Sequence, residues 1–121
     1  MSEIMKNIPI GESVVLKDLV QYGAGQVISK TLVQNRSVSI TVFAFDKGEE
    51  ISTHESAGDA FVTCLEGKGK LTIDGKEHFV TEGECIVMPA NHPHAVYGEE
   101  RFKMLLTVVF PPAKQVRYDF D

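Results

Sequence analysis

Three histidines carry the chemical interest of this chain: His54, and then His92 and His94 on either side of Pro93. An imidazole nitrogen is the commonest protein ligand for a metal ion and titrates near neutral pH, so such a group is a candidate metal centre or acid–base site. The residue before a proline favours an extended backbone, and residues two apart in an extended segment share a face. His92 and His94 are therefore expected to present as a pair. Cys64 would add a soft thiolate ligand. Asp59 would add a carboxylate, which serves as a general base if it faces a substrate within hydrogen-bonding reach. The competing roles are plainer. His54 and His94 then become pocket imidazoles bonded to neighbours, His92 a loop residue, Cys64 an apolar contact and Asp59 a solvated rim carboxylate. Ser56 reads as a turn residue, because no base and orienting partner accompany it. His78, beside Glu77 in a hairpin strand, reads as surface, and Cys85 as core.

The elements that must position these side chains are strands. Val38, Ile40, Val42 and Ala44 alternate with Ser37, Ser39, Thr41 and Phe43, a period of two. Further strands are predicted over 26–33, 59–65, 70–74, 76–80, 84–88, 95–97 and 102–110. Turn chemistry separates them at Asn35-Arg36, Gly67-Lys68-Gly69 and Glu82-Gly83-Glu84. Asp74-Gly75 suits a type I′ hairpin, in which both central residues take positive φ. Leu16 to Tyr22 is the one stretch compatible with a helical turn. Short strands at this spacing predict an all-β closed barrel or sandwich, and closure would remove exposed strand edges. Within the strand from Asp59, the alternation points Ala60, Val62 and Cys64 inward and Phe61, Thr63 and Leu65 outward. Asp59 then faces away, unless a bulge at Ala57-Gly58 turns it in. The stripe Phe102, Met104, Leu106, Val108 and Phe110 is expected in the core or at a dimer contact.

Bulk properties exclude several classes. The 121 residues suffice for a single domain over 1–121 and are short for two. A net charge of −5 with no basic stripe speaks against nucleic acid as a partner. No apolar run approaches the roughly 20 residues that cross a bilayer, so no membrane partner is expected. Met1 to Ile10 lacks the apolar core of a signal peptide. The expected compartment is the cytoplasm, where Cys64 and Cys85 would stay reduced.

Two spaced motifs carry a resemblance. Gly48, His54, Ser56, Ala60 and Gly67 occupy the positions of G-x5-H-x-H-x3-E-x6-G, and after 15 residues Gly83, Pro89, Asn91, His94 and Gly98 occupy those of G-x5-P-x-G-x2-H-x3-N. In that order, with Asp74-Gly75 between them, the motifs at 48–67 and 83–98 resemble those of the cupin superfamily. The resemblance implies a jelly-roll β-barrel of six or more strands, commonly a homodimer. It also implies a site at the barrel mouth with three metal ligands from the first motif and one from the second. His54 and His94 match that set. Ser56 stands where the second histidine would be, and Ala60 where the glutamate would be.

Two functional readings follow from the resemblance, with a third beside them. In the first, His54 and His94, helped by His92, Asp59 or Cys64, hold a divalent Fe, Mn, Ni or Zn ion in a small-molecule dioxygenase, decarboxylase or isomerase. In the second, a metal-free barrel binds or senses a small molecule, with the histidines orienting its polar group. Ser56 and Ala60 enlarge and neutralise the pocket in that reading. The third is a dimeric interaction module without catalysis.

Overall fold

The computed structural model describes residues 4–112; both ends of the 1–121 domain expected from the sequence lie outside them. Seven strands follow a 3-10 helix at Leu16–Leu19: β1 (Val27–Gln34), β2 (Val38–Phe45), β3 (Glu50–His54), β4 (Asp59–Ile73), β5 (Lys76–Thr81), β6 (Cys85–Met88) and β7 (His94–Val109). All pairings are antiparallel. The order is β1-β2-β7-β4-β5, with β3 added on β7 and β6 on β4. No helix among the described residues is long and apolar enough to cross a membrane.

Two long strands make the jelly roll. The first half of β4 pairs with β6 and with the second half of β7, while its second half pairs with β5 and the first half of β7. The sequence led us to expect two strands in each of these stretches. Instead, Gly67-Lys68-Gly69 bends β4 without ending it, and the β4–β7 register shifts between Cys64 and Glu66 and between Gly67 and Gly69. Gly67 takes φ +79°, and a Cβ there would overlap the carbonyl of Arg101, so only glycine fits the bend. The bend folds the sheet into two leaves whose inner residues share one core. Val62, Phe45 and Met104 of one leaf pack with Leu71, Val80 and Val96 of the other. Among the described residues, hydrogen bonds do not close the sheet: β1, β3, β5 and β6 each have a neighbour on one side only, in place of the closed barrel among the sequence expectations.

The alternation in β2 is present, and both of its faces are covered. Phe45 points into the core between the leaves, and Phe43 packs beside it. Val42 and Ala44 point outward and are buried beneath Val20, Leu16, Leu19, Met5 and Ile8. The N-terminal segment is thus a cover for the outer face of the large leaf. Lys103, only 5% exposed, donates from Nζ to the carbonyl of Lys17 at 2.8 Å, and the Tyr22 hydroxyl donates to Glu66 at 2.6 Å. Burial and the Glu66 bond push the Tyr22 hydroxyl well above its ordinary pKa, and that bond holds Glu66 below its own.

The hairpin at Asp74-Gly75 has φ of +51° and +80°, as a type I′ turn requires. The Phe102–Phe110 stripe lies in or against the core. Cys85 is a correction: it is exposed. On the short strand β6 it sits opposite Thr63 on the outer face, while Met88 takes the buried place.

Candidate functional site

His54 ends β3 and His94 begins β7, and the two are cross-strand partners. Directly opposed side chains on neighbouring strands are in contact range, and the ring centroids lie 4.4 Å apart with planes at 73°. Each ring is pinned from one side. His54 Nδ1 lies 2.9 Å from the carbonyl oxygen of Ser52, and His94 Nδ1 lies 3.1 Å from that of His92. A carbonyl only accepts, so each Nδ1 carries a hydrogen, and in the neutral ring Nε2 keeps its lone pair. His54 is exposed and His94 is 2% exposed. No side-chain nitrogen or oxygen among the described residues is buried without a partner, and both histidines line the adjoining cavity. Burial, and then the neighbouring His54, hold the His94 pKa below its ordinary value, offset in part by the His92 carbonyl and Glu55.

That cavity has a volume of about 270 Å³. Its body is apolar, formed by Phe43, Met88, Met104, Leu106 and Val108. Its polar groups gather where His54, Glu55, Ser56 and His94 line it. Ala60, 2% exposed, contributes only a methyl group to the wall. Ser56 Oγ accepts a 3.2 Å bond from the Gly58 amide, which leaves its hydroxyl hydrogen free.

The remaining sequence candidates stand elsewhere. His92 is exposed and its Nδ1 meets Asp74 at 2.7 Å, at the turn of the β4–β5 hairpin. Asp59 accepts a 2.9 Å bond from the Ala90 amide and lines a separate shallow groove with Gly58 and Phe110. The structure thus leaves Asp59 facing away from the histidines. Cys64 points inward as expected but lies deeper, with its thiol 3.6 Å from the carbonyls of Glu66 and Gly67. Burial above all pushes that thiol up to about 11, far from a reactive thiolate. His78 is half-buried on β5. The residue that sequence reading passed over is Glu55. Its only sequence signal is a carboxylate between His54 and Ser56.

Among the described residues, no three histidine, cysteine, aspartate or glutamate side chains are grouped so as to hold a metal ion. The donors lining the cavity are two imidazoles and the Glu55 carboxylate, and these do not converge on one point, whereas a protein-ligated metal takes three or four side chains. Ala60, at the position of the motif's glutamate, supplies no ligand. The residues present do not fit a resident metal of that kind.

Comparison with known proteins agrees with the architecture. Residues 41–110 match the Cupin domain family. A solved structure of a conserved protein of unknown function from Streptococcus pyogenes is 46% identical, covering 93% of this chain and 98% of that one, with a TM-score of 0.89. A cupin superfamily protein from Desulfitobacterium hafniense is 32% identical, covering 88% and 98%, with a TM-score of 0.84. A dimethylsulfoniopropionate lyase from Ruegeria pomeroyi is 26% identical over 102 residues, which are 79% of this chain and 67% of the lyase.

Proposed function

The chain belongs to the cupin superfamily, and from that premise we propose that it binds a small organic molecule directly between His54 and His94. The observation that carries this reading is the histidine pair itself. Both rings are held by their Nδ1 atoms to backbone carbonyls, and both residues line one largely apolar cavity. A mostly apolar recess with a few convergent polar groups is the usual form of a small-molecule site. At about 270 Å³ the space lies just under the ~300–1,000 Å³ that holds drug-sized ligands, so the ligand is small.

The lyase relative acts on a small organic substrate, as its name states, which supports a small-molecule role for this cavity. The dioxygenase, decarboxylase and isomerase activities weighed from the sequence would draw on a metal with more protein ligands than this wall brings together. We place the protein in the cytoplasm, in keeping with two free cysteines. We also infer a homodimer, for which exposed Phe61 and Val87, directly opposite on β4 and β6, offer an apolar face.

The test is metal content by mass spectrometry on untagged protein, before and after supplementation with Fe, Mn, Ni and Zn, beside a thermal-shift screen of small organic compounds. Protein without stoichiometric metal that is stabilised by an organic compound, and not in His94→Ala, is expected. Stoichiometric metal that disappears in both His54→Ala and His94→Ala would overturn the reading.

A further inference from the structure

We propose that the ligand of this cavity carries a protonated amine on a compact apolar body, an inference that rests on the organic-ligand reading above. The polar wall is almost wholly made of acceptors. His54 and His94 direct Nδ1 at the carbonyls of Ser52 and His92, so in the neutral ring Nε2 remains as an acceptor, and both residues line this cavity. Glu55 lines the same space, and an ionised carboxylate accepts only. Ser56, whose Oγ takes the Gly58 amide, is the one side chain on this wall with a proton to give.

An anionic head would meet two lone pairs and a negative charge, with a single hydroxyl to bond it. A polar group left unmatched on burial is penalised more heavily than a matched one is rewarded. An alkylammonium reverses every sign. It carries donors only, which suits a wall of acceptors, and its bond to Glu55 is charge-assisted.

The rest of the cavity sets the body. An apolar void of ~150 Å³ is enough to hold benzene, so about 270 Å³ takes one six-membered ring with a short arm. Phe43, Met88 and Met104 line it, and both an aromatic face and a thioether sulfur make favourable contacts with a ring.

The experiment uses the full chain with ¹³C-methyl methionine, treated with EDTA, at pH 7.5. Met88 and Met104 report from inside the cavity, and each signal is assigned from its Met→Leu variant. Three probes of similar shape are titrated: benzylamine, benzyl alcohol and benzoate. The expected order is benzylamine tightest, benzyl alcohol next and benzoate weakest, with roughly tenfold between amine and acid. Glu55→Gln is expected to bring the affinity ratio of amine to alcohol down to about one. Glu55 is exposed at the rim, so folding is not at stake. Benzoate equal to or tighter than benzylamine, or an amine preference that survives Glu55→Gln, would overturn this inference and leave the organic-ligand site standing. Methyl signals unmoved by any of the three probes would overturn both.

Discussion

The bend in the β4–β7 pair and its end at the mouth use small residues to opposite effect. At the bend, Gly69 faces Phe102, whose ring would lie 2.5 Å from an added Cβ. The space left by the missing side chain is occupied by the ring, which continues into Phe45 at 5.5 Å and Phe43 at 5.9 Å between centroids. At the mouth, Ala60 is also small and buried, yet it borders a cavity. Interiors normally pack to the density of organic crystals. In the proposed reading, the void beside two oriented imidazoles is the part of the core given to a ligand, and the bend is the part given to stability.

Substitutions at the bend and at the mouth should separate these roles. Phe102→Ala removes the ring that fills the bend and is expected to cost about 3–5 kcal/mol in urea unfolding. Gly69→Ala forces a methyl against that ring and should cost about 1–3 kcal/mol, with the mouth still able to bind benzyl alcohol. At the mouth, Ala60→Val adds apolar volume to open space. Its stability is expected to stay within about 1 kcal/mol of the parent, while benzyl alcohol binding measured by methionine methyl shifts disappears. A loss of stability as large as that of Gly69→Ala would show that the mouth is packed like the bend.

The smallest effect is on pH dependence. His94 has a folded pKa below its ordinary 6.5, because burial and His54 disfavour its cation. As pH falls below 6.5, the unfolded chain takes up a proton that the folded chain resists, so stability declines with falling pH in that window. A pH series of urea midpoints should show this decline in the parent and less of it in His94→Gln.

Much of this was legible in the sequence because it is local. The glycine, histidine and proline spacing of the two motifs located His54 and His94, and the alternation after Asp59 assigned Ala60, Val62 and Cys64 to the interior. Asp74-Gly75 declared its turn because few residue pairs tolerate two positive φ angles in succession. What escaped depends on pairing across the sheet. β3 shows no clear alternation, since Ile51 is its only partly buried residue. Its register against β7 shifts between Ile51 and His54, and such an irregularity re-aims the side chains that follow. Glu55 consequently lines the cavity beside His54, which strict alternation from His54 would not place there. His92 pairs with Asp74 rather than with His94, because Pro93 O accepts from the Asp74 amide at 3.0 Å and seats that segment on the hairpin.

The most direct test of the central claim is the tautomeric state of His54 and His94, read from long-range ¹H–¹⁵N correlations at pH 7.5. With four histidines in the chain, single substitutions assign each ring. Both are expected as the neutral Nδ1–H form, with Nε2 unprotonated and shifting when benzylamine is added. A His94 ring found with its proton on Nε2 would contradict the account, because the cavity would then face a donor and the pairing with the His92 carbonyl would be wrong.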